Sequence, residues 1–545
     1  MKIPDLLKEN LQIPDFIIPL LENREVTSEE AILSYFVNEY KLVNPFVMPD
    51  MKKAIERIIF AIKEGEKIVI CGDYDVDGML ASSLLYNFIR DCNGRVAIHL
   101  PDREKDGYGM SVKQMERLIN EEEAELLISV DNGVTAFEAA DKVIELGAEL
   151  IITDHHELSP KGLPNATAII NAKRLGNDPY HLKDLAGVGV AFFVVRALNN
   201  KLFEPKKRKS LLNSLVLATL GTISDIVPLK GENRKLVKKG MDILFKSKIM
   251  GLNFLLENIS FWDYPSAHDV GFSITPLLNA PGRLGVPEKT LELLTTASME
   301  SELIAKEIIE INNKRKEMTE VETNIAIENI DHSKDVIVVY DERLTLGLIG
   351  LIANKLADKF KKPAWVVTNN PDDGLLKCSG RSYRGFNLKT ALDNNPHIKE
   401  GGGHRFAVGF SIIPDNFDKF KTFYEEEYDI KYESEDIPYE LEIDAAELAN
   451  KENIKFLYLM EPFGSGNKLP KVKLTNINYK KFNKMKKIHC KFEVNDLLEM
   501  VFFFIPDEEM LKIDHIIETD IPFDAIGELT SNGKQLKFKI EKIST

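Results

Sequence analysis

Asp73, Asp75 and Asp77 alternate along the chain, and Gly78 closes the run. Asp131-Asn132-Gly133, Asp154-His155-His156 and Ser224-Asp225-Ile226-Val227-Pro228 add three more carboxylates and two adjacent imidazoles. Carboxylate oxygens suit Mg²⁺ and Mn²⁺, and imidazole shifts the preference toward the softer Mn²⁺. Brought together, such groups can hold two ions about 3.5–4 Å apart that activate a shared water and clamp a phosphoryl group. Each segment also has an ordinary reading. Asp-Asn-Gly is a strong turn signal, Asp225 could cap a helix, and the paired histidines could be solvated. Asp73–Gly78 matches the start of a calcium loop, but the position that needs a bidentate Glu is Leu84.

What sets the segments apart is where they fall. Ile68-Val69-Ile70 precedes the first, Leu127-Ile128-Ser129-Val130 the second and Leu150-Ile151-Ile152 the third. The pattern predicts strands at 67–70, 96–100, 126–130, 150–153 and 168–170, with helices at 80–90, 112–121 and 136–146. That alternation predicts a parallel sheet covered by helices, in which ligands bind at the carboxyl ends of strands.

Residues 1–50 read as a helical lead-in and 51–287 as the α/β body that carries these motifs. A charged stretch free of Gly and Pro at 288–330 predicts a long connecting helix, and 331–430 a second α/β body. Short β-like runs over 431–545 predict a small β-barrel. Between 471 and 491 lie eight lysines and no Asp or Glu, interleaved with Tyr479 and Phe482 and followed by Phe492. This reads as a surface for a strand's phosphates and bases.

Composition bounds the rest. The hydrophobic fraction is 44%, the charged fraction 29% and the net charge −16, which argues against a surface coated for nonspecific duplex binding. The four cysteines form no C-x-x-C pair, so neither a disulfide framework nor a structural zinc site is expected. With no signal-peptide pattern and no apolar run near the roughly 18 residues of a membrane span, a cytoplasmic protein is expected.

Taken jointly, the motifs resemble the DHH phosphoesterase superfamily, and the chain from Asn44 onward resembles the bacterial RecJ type. Pro101-Asp102-Arg103, the Leu185–Ala191 run, Asn279–Leu284, Cys378–Ser382 and Gly402-Gly403-His404 extend the match beyond the acidic segments. The resemblance implies a parallel-sheet DHH domain, a long connecting helix, a DHHA1 substrate-binding domain and a C-terminal OB-like barrel. It implies two divalent metals, Mn²⁺ favoured and Mg²⁺ possible. Asp75, Asp77, Asp131, His155 and Asp225 would be ligands, with Asp131 the bridge and Asp73 a further ligand. His156 would face the scissile phosphate, with Asp154 orienting a neighbouring imidazole. Arg103, Arg283, Ser379, Arg381, Ser382, Gly402, Gly403 and His404 would hold the substrate.

The implied activity is a 5′→3′ exonuclease that hydrolyses single-stranded DNA to 5′-mononucleotides in repair and recombination. Its expected partner is single-stranded nucleic acid, DNA rather than RNA. The chain is expected to be a monomer, with a single-strand-binding protein or a helicase as candidate protein partners. A phosphodiesterase of short oligonucleotides or cyclic dinucleotides could use the same centre; a pyrophosphatase or a non-catalytic scaffold fits less well. Two departures stand out. Cys71 occupies a position where many relatives carry His, and Leu344-Thr345-Leu346-Gly347 replaces Trp-His-Pro-Gly.

Overall fold

The computed structural model describes residues 11–36, 41–101, 110–259, 265–296, 298–370, 373–430, 438–485 and 488–544. Its first sheet consists of β1 (Lys67–Cys71), β2 (Arg95–His99), β3 (Leu126–Val130), β4 (Glu149–Thr153) and β5 (Ala168–Ile170). All pairings are parallel, in the order β2-β1-β3-β4-β5. Both faces are covered, which is why the strands read as continuous apolar runs rather than alternating ones. Ile68, Ile70, Ile128 and Ile151 pack toward the helices Met51–Glu64, Val76–Asp91 and Gly187–Leu202. Val69, Cys71, Leu127 and Ile152 face Met115, Leu118, Ala140 and Val143 of the helices Val112–Asn120 and Phe137–Glu145. Each buried aliphatic side chain here contributes about 1.5–3 kcal/mol. The sheet is therefore a stiff base, and the acidic segments leave it from the carboxyl ends of β1, β3 and β4.

The connecting region is two helices, Glu288–Thr295 and Glu300–Glu328, rather than one. Thr296 adopts extended backbone (ψ 123°), and Ser301 donates its hydroxyl to the Ser298 carbonyl at 2.8 Å. Hydroxyl side chains that bond nearby backbone favour helix ends over helix interiors, so the absence of Gly and Pro was not enough to keep the helix continuous.

The second sheet holds β6 (Ile337–Tyr340), β7 (Ala364–Asn369), β8 (Leu376–Arg381), β9 (Ile398–His404) and β10 (Ala407–Ile412), ordered β6-β7-β8-β10-β9. Only the β6–β7 pair is parallel. The helix Ile349–Phe360 covers one face, and Trp365 stacks on Tyr424 (4.2 Å between centroids) in the other.

The third sheet comprises β11 (Leu441–Asp444), β12 (Lys471–Ile477), β13 (Lys481–Met485), β14 (His489–Asn495), β15 (Leu498–Phe503), β16 (Phe523–Ser531) and β17 (Leu536–Ser544). Its order is β11-β12-β16-β17-β15-β14-β13, and among the described residues no pairing joins β11 to β13 to close a barrel. The N-terminal helices Ile17–Glu22 and Glu29–Phe36 share this body's core, so the lead-in packs with the far end of the chain. Arg234, from the first body, rivets the two together. Its buried guanidinium donates to the carbonyls of Glu461 (2.9 Å) and Met460 (3.1 Å) and lies 3.8 Å from the Tyr35 ring centroid.

This body divides the 471–491 segment between paired and exposed groups, Lys480, Lys481 and Lys484 being exposed. Lys471 pairs with Glu541 (2.7 Å), Lys473 with Glu442 (3.3 Å) and Lys491 with Glu499 (2.7 Å). Phe492 is fully buried, with Tyr479 and Phe482 packed against it. Alternation along the strands turns Phe482 and Phe492 toward the core, and neighbouring strands bring carboxylates beside Lys471, Lys473 and Lys491. Lys486 and Lys487 lie outside the described residues.

Candidate metal centre

Gly78 is what lets the first acidic segment fold. A methyl at its α-carbon would stand 2.7 Å from the Asp73 β-carbon, so only glycine allows the chain to turn from β1 into the next helix against Asp73. Asp75 caps that helix, accepting the Gly78 amide at 2.9 Å. Asp77 points inward from its first turn. It accepts the Gly187 amide at 2.6 Å and the Val188 amide at 3.1 Å, both at the N-terminus of Gly187–Leu202. That helix end holds the carboxylate by hydrogen bonds and by its dipole.

Asp131 follows β3 with φ +62°, a left-handed conformation that Asp tolerates better than most residues. Gly187 permits its position, because a β-carbon there would lie 2.5 Å from Asp131 Oδ1. His155 sits between two carboxylates, Nε2 3.1 Å from Asp131 Oδ1 and Nδ1 3.8 Å from Asp225 Oδ2. Both of those oxygens are buried and receive no hydrogen bond. Buried acceptors left without donors are costly, and a cation between them removes the cost.

The electrostatics agree. Burial, then the charge of Asp225, pushes Asp77 up to about 8. Burial, then Asp75, pushes Asp225 up to about 7. Asp131 is raised well above its ordinary value by burial and then by Asp77, Asp75, Asp73 and Asp154, so it is central to the cluster. Burial lowers His155, leaving the neutral imidazole that a metal requires. Donor atoms of Asp77, His155 and Asp225 lie close enough to share an ion, as do those of Asp131, His155 and His156. Asp73 is buried and accepts the Tyr74 amide at 2.6 Å.

Asp154 has a different part. Its Oδ1 accepts the His155 amide (2.7 Å), the His156 amide (3.1 Å) and His156 Nδ1 (2.8 Å), and its Oδ2 accepts the Val134 amide (2.9 Å). Those bonds hold its carboxyl below the ordinary carboxylate range despite burial. They also raise His156 to about 9, the hydrogen bond to Asp154 being the main cause. Asp154 takes up Nδ1, which leaves Nε2 of the half-exposed imidazole as the ring atom open to a bound group. Cys71 stays in the sheet's apolar interior, its thiol pushed up to about 12 by burial, and joins no candidate metal group among the described residues.

Close backbone contacts run from the first acidic segment, through the end of the helix Ala267–Arg283, to the second body. Gly282 lies against Tyr74, where a β-carbon would come 2.8 Å from the carbonyl oxygen. Gly347 packs on the Arg283 backbone and its carbonyl accepts Arg283 Nη1 at 3.3 Å. Gly350 leaves room for the Arg381 guanidinium, whose Nη1 donates to Ser379 Oγ at 3.0 Å. Ser379 and Arg381 share one face of β8, with Gly409 and Gly402 beside Ser379 across β10 and β9. The result is a small-residue trough with a guanidinium at its side, suited to a phosphate. Gly403 (φ +137°) packs tightly on Val408, and His404 is exposed at the strand's end. Ser382 stands apart from the donor cluster, since its hydroxyl is spent on the Phe386 carbonyl at 2.6 Å. Arg103 lies outside the described residues. Thr345 binds Glu322 of the connecting helix through its amide (2.8 Å) and its hydroxyl (2.7 Å).

Two contributors escaped the reading from sequence. Gly187 was part of a matched run but had no role attached to it. Ile226, beside Asp225, has φ +59° and a largely exposed side chain. A β-branched residue there is strained by roughly 1–3 kcal/mol. Only its place next to a candidate ligand could have marked it.

A parallel sheet with carboxylates at its strand ends, joined by a connecting helix to a smaller α/β body, defines a DHH-type protein. Residues 67–221 match the DHH family N-terminal domain, 333–428 the DHHA1 domain and 439–541 the RecJ OB domain. The single-stranded-DNA-specific exonuclease RecJ of Escherichia coli is 33% identical over 396 residues, 68% of each chain. The RecJ of Bacillus subtilis is 35% identical over 506 residues, 90% of this chain and 62% of that one. The chain belongs to the RecJ family. It thus spans under two thirds of the length of the Bacillus relative. The RecJ of Thermus thermophilus solved with Mn²⁺ has the same fold, with a TM-score of 0.80 at 23% identity over 100% of this chain and 79% of that one. Among the described residues no helix is long and apolar enough to cross a membrane.

Proposed function

We propose that this protein is a 5′→3′ exonuclease that uses two divalent metals to hydrolyse single-stranded DNA to 5′-mononucleotides. It would act as a cytoplasmic monomer in DNA repair and recombination. The observation that carries this reading is the pair of buried carboxylate oxygens, on Asp131 and Asp225, that flank His155 without a hydrogen-bond donor. Asp75, Asp77, Asp131, His155 and Asp225 are assigned as ligands, Asp131 as the bridge and Asp73 as a further ligand. Mn²⁺ is favoured by the imidazole and by the Mn²⁺ in the Thermus relative; Mg²⁺ also suits the oxygens. When bound, the ions activate a water and neutralise charge gathering on the phosphate.

The chain's own groups do the rest. His156, held by Asp154, offers Nε2–H to a phosphate oxygen or to the departing 3′-oxygen. Water's oxygen joins phosphorus as the P–O3′ bond breaks. The terminal nucleotide leaves with its 5′-phosphate, and the shortened strand keeps a new one. Ser379 and Arg381 hold the terminal phosphate, Gly402, Gly403 and His404 line the same face, and Arg283 contacts the backbone between the two bodies.

The test is digestion of 5′-phosphorylated single strands on a length ladder with Mn²⁺. Long strands should release mononucleotides from the 5′ end. Consumption of di- to tetranucleotides alone would replace this reading with a phosphodiesterase of short oligonucleotides.

A further inference from the structure

A cavity of about 1330 Å³ lies between the first and third bodies. Ser224 and Ile226, on either side of the candidate ligand Asp225, line it, so one wall adjoins the segment that carries that carboxylate. One wall is the N-terminal half of the helix Ala267–Arg283, and Tyr439, Lys468 and Lys471 line the side of the third body. Phe272 is 73% exposed on the first wall and Ile226 is 74% exposed beside it, although side chains of this kind are usually buried. Phe272 is also braced. Its ring stacks on His268, one helical turn earlier, with centroids 4.4 Å apart and planes 28° from parallel. Ser224 and Thr275 hydroxyls, 2.8 Å apart, tie the helix to the end that carries Asp225. Lys230 and Lys468 line the cavity and enter no ion pair among the described residues.

We propose that Phe272, backed by His268 and flanked by Ile226, is a platform on which a nucleobase of the single strand stacks beside the metal centre. The inference rests on the proposed exonuclease activity and adds to it a positioning residue outside the metal and phosphate sites. An aromatic ring with one face braced and the other open accepts any base, because every base has a π-face. The unpaired lysines supply charge for the adjoining phosphates. The left-handed backbone at Ile226 presents an exposed apolar side chain on the cavity wall. The strand then meets the centre in one register, with a base held on the ring and the scissile phosphate ahead of it.

The experiment compares wild type, Phe272→Ala and Phe272→Trp on intact strands and on strands with one abasic site moved stepwise from the 5′ end. Binding is read by anisotropy of a labelled strand without added metal, and turnover with Mn²⁺. Phe272→Ala should raise Kd and KM by about 5- to 150-fold, the range of one base–aromatic stack, with kcat changed far less. Phe272→Trp should restore both. At one position an abasic site should weaken wild type by the same factor, and there the two losses should not add. Unchanged Kd in Phe272→Ala, or abasic losses that add at every position, would overturn the platform. A wild type that binds strands but releases no mononucleotide would instead overturn the exonuclease reading, while the Kd comparison still decides the platform.

Discussion

His156 Nδ1 lies 2.8 Å from Oδ1 of Asp154, a carboxylate that also accepts two amides of its own turn and the amide of Val134. Asp154 therefore sets both the orientation and the charge of His156. In Asp154→Asn the imidazolium loses its counter-charge, and the His156 pKa should fall from about 9 toward the ordinary 6.5. Turnover should drop by about 10- to 100-fold, the usual cost of losing such a supporting partner. NMR titration of labelled histidine in the metal-free protein checks the first, single-strand digestion the second. His156→Ala should abolish turnover while largely sparing strand binding.

The clustered carboxylates predict a particular stability profile. Asp77 at about 8, Asp225 at about 7 and a raised Asp131 bind protons more tightly folded than unfolded. Their contribution is complete below the ordinary value near 3.8 and is lost as pH rises through the raised values. His156 runs the same way, losing its contribution between 6.5 and about 9. His155 opposes them only on the acid side, because its lowered pKa makes folding more favourable as pH rises toward 6.5 and adds nothing further above it. The metal-free protein should melt at falling temperature between about pH 5 and pH 8, read by calorimetry. Mn²⁺ should raise the melting temperature more at pH 8 than at pH 5, since at pH 5 it competes with protons for the same oxygens.

Much of this centre was legible because parallel sheets put ligands at one end. An apolar run followed by Asp or His could be assigned to that end without knowing how the strands were ordered. Asp131, His155 and Asp77 come together in the fold for that reason. What sequence could not convey were contacts made by register and close approach. Lys471 and Lys491 looked free because Glu541 and Glu499 become their neighbours only after the strands pair. Phe492 looked available for bases because the side of the strand it occupies depends on the sheet's packing. The N-terminal segment shares a core with residues more than four hundred positions away, and nothing in its local pattern signals that partner.

Thr345 predicts a loss of anchoring with the metal chemistry left intact. Its amide and hydroxyl satisfy both oxygens of Glu322, a buried carboxylate on the connecting helix. Thr345→Val removes one donor and should cost about 1–3 kcal/mol in denaturant unfolding. Thr345→Ser should keep most of it. Cleavage of a dinucleotide should change little in Thr345→Val. A comparable loss in Glu322→Gln and a coupling energy near 1 kcal/mol in the double-mutant cycle would tie the effect to this pair.

Gly187 offers the sharpest separation of site from fold. Its amide holds Asp77 at 2.6 Å, and its missing side chain leaves room for Asp131 Oδ1, which a β-carbon would meet at 2.5 Å. Gly187 lies at the start of its helix, where alanine is otherwise compatible with helical backbone. In Gly187→Ala the Asp131 carboxylate must shift, and it is the proposed bridge between two ions. Mn²⁺ affinity, measured by calorimetric titration, should fall at least tenfold. Single-strand binding should persist through the trough at Ser379 and Arg381. If Mn²⁺ binds Gly187→Ala as it binds wild type, Asp131 is not a ligand held in place by this glycine, and the bridge must be sought at Asp77 or Asp225.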